Sequence, residues 1–161
     1  MVDTGAAYSI RVAADADREA VLELAVAFYR EEGFGTGREE LGANLGVLLS
    51  MSSARVAVAI GDGARVGFCV TTAKFGLEQG WVAELEDLYV MPGWRRRGIA
   101  EALIEDSAGW ATERGCGELE LVIAPQGHDV AGLREYYLRR GFVDGGRRLL
   151  GRTLRPESPG R

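Results

Sequence analysis

Residues 85–114 carry the pattern that most restricts what this chain can fold into. A strand-like run, Leu85-Glu-Asp-Leu-Tyr-Val90, leads through a short turn with Gly98 into a helix reaching about Arg114. A strand that feeds a helix through a tight turn gathers several unpaired backbone N–H groups at one point. Together with the positive end of the helix dipole, those groups form an anion site. Arg95, Arg96 and Arg97 stand beside it and add charge-assisted donors suited to phosphate. A ligand carrying phosphates is expected to dock here.

The strand before the turn has a conflict of phase. If Glu84 and Glu86 face outward, Leu85 faces the core, and Leu88 and Val90 must also face the core. The step from 85 to 88 is odd, which a period-2 strand cannot accommodate without an extra residue. A β-bulge near Glu86 and Asp87 resolves it, and bulges gather beside active sites.

Elsewhere the elements follow from spacing. Tyr8, Ile10 and Val12 alternate as a strand; Asp15 or Asp17 can cap a helix with Val21, Leu22, Ala25, Phe28 and Tyr29 on one face and Gly33 at its end. Thr36-Gly-Arg-Glu39 has the form of a capping box for a second helix, which Gly42 and Gly46 weaken by roughly 1 kcal/mol each. Strands at 55–60 and 65–72 flank the hairpin signal Gly61-Asp-Gly63, and a loop at 75–80 leads to the strand at 81–90. The motif helix points Ile99, Ala102, Leu103 and Trp110 inward and stops at Gly115. A strand through Leu119, Leu121 and Ile123, a helix at 129–140 and short strands around 142–144 and 147–154 complete the pattern. This order implies a mixed sheet with helices on both faces in a single domain over residues 1–161, with a flexible tail at 155–161.

The stretch Val90-Met-Pro-Gly-Trp-Arg-Arg-Arg-Gly-Ile-Ala100 resembles the acetyl-CoA loop of the GCN5-related N-acetyltransferases, written (Arg/Gln)-x-x-Gly-x-(Gly/Ala), with Arg95, Gly98 and Ala100 at the fixed positions. The flanking strand, the helix end Glu113-Arg-Gly-Cys116 and the later Tyr137-Leu-Arg-Arg-Gly-Phe142 extend the resemblance to roughly residues 8–154. It implies an α/β (α+β) fold with a mixed, mostly antiparallel sheet of six to seven strands, a splayed central pair and helices on both faces. It also implies acetyl-CoA as cofactor, held by Arg95, Arg96, Arg97, Gly98, Ile99 and Ala100 and by the backbone of Leu88, Tyr89 and Val90 on the bulged strand. The resembled family often forms homodimers.

Moving an acetyl group from a thioester to an amine sets three demands: the ammonium must lose a proton, the carbonyl oxygen needs a donor, and the leaving thiolate needs a hydrogen bond or proton. Glu84, Glu86 and Asp87 are candidates for the base, and Asp87 resembles an acid that some aminoglycoside-modifying members carry just before the bulge. Tyr137 matches the family's general-acid tyrosine, and a phenol with a reference pKa near 10 keeps its proton at neutral pH. The family's frequent Asn seven residues earlier is Val130 in this chain. His128 reads as a solvated residue at a helix start.

The resemblance places the amine acceptor against the first two helices and the loop before the bulged strand, where Phe28, Tyr29, Glu31, Glu32, Phe34, Phe75, Glu78 and Trp81 occur. Glu31, Glu32, Phe34, Trp81 and Glu84 are the substrate-binding candidates, because aromatics and carboxylates suit a cationic amine. An aminoglycoside is the leading acceptor, followed by a polyamine or other small amine and then a peptide N-terminus. A non-catalytic acyl-CoA sensor would keep the loop at 95–100 but need neither Tyr137 nor the strand acids.

Charge and composition narrow the partners. A net charge of −5 over 161 residues argues against nucleic acid and suits a cationic acceptor. No apolar run approaches the roughly 20 residues of a membrane span, and no signal peptide is visible. One histidine and two separated cysteines, Cys69 and Cys116, match no metal-ligand spacing, so no metal is expected. Free thiols fit a cytoplasmic location.

Overall fold

The computed structural model describes residues 7–125 and 127–154. Five strands form one sheet in the order β1 (Tyr8–Val12), β2 (Ala54–Gly61), β3 (Ala64–Gly76), β4 (Gly80–Val90) and β5 (Leu119–Glu120). Each neighbouring pair is antiparallel except β4 and β5, which run parallel.

Strand alternation divides the core between two faces. Val56, Val58, Phe68 and Val70 pack under α1 (Arg18–Glu32) and α2 (Arg38–Ser50). Ala57, Ala59 and Cys69 face the other way, toward α3 (Ile99–Glu113) and Tyr137 of α4 (Val130–Leu138). The small side chains under α3 leave room for its buried Ile99 and Leu103.

Local sequence signals set most of the boundaries. Helix α1 stops at Gly33, which takes the left-handed conformation at φ 76°. Asp62 and Gly63 both have positive φ, as a two-residue hairpin turn of the primed type requires. Asp129 starts α4, its carboxylate accepting the Gly132 N–H at 3.1 Å.

Several expectations need correction. Asp17 occupies the N-cap position of α1, but its buried carboxylate does not cap the helix; it accepts the Ala14 N–H at 2.8 Å and is held by Arg11 and Arg65. Ion pairing across β1 and β3 outcompetes the cap. The Thr36 capping box does not form, because α2 starts at Arg38 behind Gly37 with no side-chain cap. Gly42 and Gly46 do not shorten α2, which runs 13 residues. They face α1: an added Cβ at Gly42 would stand 3.3 Å from the Leu22 side chain, and one at Gly46 2.7 Å from the Arg18 guanidinium. Close helix packing offsets their weak propensity.

The expected loop at 75–80 is the tip of a longer hairpin, since β3 continues to Gly76 and β4 begins at Gly80. Strand β5 ends at Glu120, and no strand forms over 121–124, 142–144 or 147–154. The sheet therefore has five strands among the described residues, not six to seven. Its two-residue last strand offers almost no edge for further pairing, and Val143, Leu149, Leu150 and Leu154 lie exposed beyond it. The tail at 155–161 falls outside the described residues. Among those described, no helix is long and apolar enough to cross a membrane.

Candidate active site

The site grows out of the bulge in β4. Val70 pairs with Asp87 and Thr71 with Leu85, so Glu86 is the extra residue. One inserted position lets Leu85, Leu88 and Val90 share the α3 face, while Tyr89 packs on the α1 face. Asp87 also turns toward α1, where the Tyr29 hydroxyl donates to its carboxylate at 3.2 Å.

Burial and the neighbouring Glu86 charge disfavour the Asp87 carboxylate more than the Tyr29 bond favours it. Burial is the largest cause, and the pKa rises from 3.8 to about 6. Burial together with this carboxylate pushes the Tyr29 phenol up to about 12. Tyr29 therefore stays a hydrogen-bond donor. Glu86 is exposed and accepts from the Thr72 hydroxyl at 2.6 Å.

On its other side β4 opens away from β5. Their pairing is limited to Ala83 with Leu119 and Glu84 with Glu120. The Met91 N–H donates to Val66 O at 2.8 Å, which fixes the phase of the ladder with β3. By alternation, Tyr89 directs its backbone groups at β3, whereas Leu88 and Val90 direct theirs at the gap. The Val90 carbonyl is already taken by Arg95 Nε at 2.8 Å.

The turn after β4 feeds α3 through Gly98. Gly98 sits at φ 80° in the left-handed region as the N-cap of α3. The first intrahelical bond runs from the Ala102 N–H to Gly98 O, so the N–H groups of Ile99, Ala100 and Glu101 have no intrahelical partner. Trp94 braces the turn on the β2–β3 hairpin, where a Cβ at Gly61 would lie 2.5 Å from its ring.

The three arginines behave differently. Arg95 turns inward to Glu31 at 2.8 Å, with its guanidinium 5.5 Å from the centre of the Tyr89 ring. Arg97 lies over the Trp94 ring and donates to Gly93 O. Arg96, exposed and at φ 62°, makes no side-chain hydrogen bond or ion pair among the described residues.

Tyr137 projects from α4 into the α3-side core, edge-on to Tyr136 and Phe142, each at 5.3 Å between ring centres. Its hydroxyl makes no hydrogen bond among the described residues. Burial holds its pKa well above the ordinary 10, so the proton stays on the oxygen.

The other sequence-chosen acids and aromatics are scattered. Glu31 is committed to Arg95, and Glu32 accepts the His128 backbone N–H at 2.8 Å. Phe34 packs edge-on to Phe28 and Tyr29. Trp81 and Glu84 lie toward the far end of β4, against Phe75 and Lys74 respectively. Sequence reasoning missed the wall that α2 builds with Leu41, Leu45 and Leu48 beside Asp87. Their helical spacing was visible, but it reads equally as ordinary core. Among the described residues no group of His, Cys, Asp and Glu could hold a metal ion.

The bulged β4, its opening away from β5 and the helix start at Gly98 lie together on one side of a mixed sheet. The chain belongs to the acetyltransferase (GNAT) family, whose profile matches residues 18–142. Among curated proteins it is similar to an aminoglycoside N(6')-acetyltransferase type 1 of Salmonella typhimurium, 32% identical over 73 residues, covering 43% of this chain and 50% of that one. It is also similar to an uncharacterized N-acetyltransferase of Methanocaldococcus jannaschii, 35% identical over 85 residues, covering 52% of this chain and 36% of that one. The chain thus spans about half the length or less of these curated relatives.

Among solved structures, the aminoglycoside N-acetyltransferase AAC(6')-Iy in complex with CoA has the same fold, with a TM-score of 0.81 at 22% identity over 96% of this chain and 99% of that one. An integron cassette protein from a salt-marsh metagenome gives a TM-score of 0.77 at 26% identity, over 91% of each chain.

The residues present fit acetyl-CoA. The free N–H groups at Ile99 and Ala100, with Arg96 beside them, suit its pyrophosphate, and Gly98 lets the backbone come close. The gap-facing backbone of Leu88 and the Val90 N–H suit its amide-bearing arm.

Proposed function

We propose that this protein is an acetyl-CoA-dependent N-acetyltransferase acting on a primary amine of a cationic small molecule. The observation that carries the reading is Asp87, a carboxylate lifted to about 6 and set at the bulge beside the open sheet edge. A base near 6 is ionised at neutral pH yet holds a proton better than an ordinary aspartate.

When bound, acetyl-CoA supplies a thioester whose carbonyl carbon takes the amine nitrogen while the carbon–sulfur bond breaks. Glu86 and Asp87 attract the ammonium, and Asp87 accepts the proton that must leave before nitrogen has a lone pair. Tyr29 holds Asp87 in place through its hydroxyl. Tyr137 keeps its proton and donates toward the departing sulfur, then regains one by way of solvent from the acylated nitrogen. The products are an amide and a free thiol, with one net proton released.

The names of the curated relatives support an aminoglycoside as acceptor, and the carboxylates of Glu86 and Asp87 suit a cationic group. The apolar wall built by α2 favours a second reading, an amine with an apolar body. Thiol release from acetyl-CoA against aminoglycosides, polyamines, simple amines and short peptides tests the function. Turnover with any amine supports it. Cofactor binding with no turnover on the whole panel favours the acyl-CoA sensor instead.

A further inference from the structure

Beside Asp87 lies a cavity of about 390 Å³ between α1, α2 and the sheet. That volume lies within the roughly 300–1,000 Å³ of small-molecule sites. Glu86, Asp87, Tyr29 and Thr72 meet at its β4 side, and Asn44 is the one polar side chain that α2 contributes. Its other walls are Leu41, Leu45 and Leu48 of α2 and Phe68 and Val70 of β3. Those side chains offer no hydrogen-bond donor or acceptor.

We infer that this cavity is the acceptor pocket and that it selects a primary amine carrying a compact apolar group, an alkyl- or arylalkylamine, over a polyhydroxylated amino sugar. The inference rests on the acetyltransferase reading and narrows its acceptor. The two ends of the cavity match the two ends of such a molecule. An ammonium beside Glu86 and Asp87 meets negative charge, and the attached hydrocarbon meets the leucine wall.

An amino sugar fits worse. Most of its hydroxyls would lose water against Leu41, Leu45 and Phe68, and on that wall only the Asn44 amide offers a partner. The carboxylates that would suit further cationic groups are engaged elsewhere: Glu31 with Arg95, Glu32 with the His128 N–H, and Glu84 with Lys74.

Apolar burial makes the inference quantitative. Each added methylene that enters the cavity should strengthen binding roughly fourfold until the cavity is filled. The test is calorimetric binding of propylamine, butylamine, pentylamine and hexylamine to the full chain with CoA present, and thiol release with the same amines and kanamycin. The expected result is a dissociation constant that falls roughly fourfold per methylene, with hexylamine preferred to kanamycin in kcat/KM. Leu48→Gln, at the half-buried rim, should flatten the length dependence, and retained CoA affinity would report an intact fold.

Binding that does not change with chain length, or kanamycin preferred tenfold over hexylamine, overturns the inference. Length-dependent binding without turnover would keep the pocket and sink the acetyltransferase reading. Turnover on kanamycin without length dependence would do the reverse.

Discussion

Replacing Asp87 with Asn should stabilise the protein at alkaline pH while disabling it. The fold disfavours the ionised carboxylate, because its pKa rises from 3.8 to about 6, chiefly through burial. By linkage, that difference costs the folded state roughly 3 kcal/mol once the group is fully ionised. Below the unfolded value both states are protonated, and the penalty is absent. Between 3.8 and about 6 the folded chain keeps a proton that the unfolded chain has released, so stability falls as pH rises. Above that window the penalty is constant.

Asn stands in for the protonated acid and can still accept from Tyr29. Urea unfolding at pH 4.5, 6 and 8 should therefore show a small difference at the lowest pH and up to about 3 kcal/mol in favour of the variant at the highest. With a urea slope of roughly 1–3 kcal/mol/M, this is a midpoint shift of about 1–3 M. Turnover should fall roughly 10²- to 10⁴-fold, and the wild-type loss of kcat/KM on acidification through about pH 6 should vanish. A variant less stable than wild type at pH 8, or a difference independent of pH, would refute the buried-carboxylate argument. Unchanged turnover would remove Asp87 as the base.

Three further outcomes follow from other contacts. Tyr137→Phe should lower turnover about 10²-fold or more with CoA affinity retained, measured by steady-state kinetics and calorimetry. Gly98→Val forces a β-branched residue to φ 80° with its Cβ 3.3 Å from the Tyr8 hydroxyl, so CoA binding should weaken and stability drop by at least about 1–2 kcal/mol. Asp17→Ala removes the partner of Arg11 and Arg65, which water can partly replace, and should cost roughly 1–3 kcal/mol, read as a thermal midpoint lowered by several degrees. The Asp17 pKa is held well below the ordinary carboxyl range, with the Arg11 bond the largest cause. That stability is present above pH 3.8 and fades only as pH falls toward the depressed value.

Much of β4 could be read from its own residues. The phase conflict among Leu85, Leu88 and Val90 places the bulge near Glu86 and Asp87, and Gly98 marks the start of α3. Those features are local, because side-chain alternation and turn chemistry act over a few residues. The contacts that make the site a site join distant segments. Tyr29 reaches Asp87 across 58 positions, and Glu31 reaches Arg95 across 64. No periodicity encodes either, and Tyr29 in sequence is one more apolar position on an amphipathic helix. Asp17 shows the same limit, since its place before α1 signals a cap and only the fold brings Arg65 against it. The two missing C-terminal strands failed for a related reason. Strand propensity around 142–154 needs an edge to pair with, and β5 supplies only two residues.

We propose that Asp87 and Tyr137 serve acetyl transfer to an amine. Mass spectrometry of an amine panel after incubation with acetyl-CoA carrying a carbon-13 acetyl label tests it most directly, with wild type beside Asp87→Asn and Tyr137→Phe. Wild type should yield a labelled amide on at least one amine, and each variant a strongly reduced amount. Labelled product formed equally by all three proteins would contradict it, as would a wild-type protein that binds CoA and labels no amine.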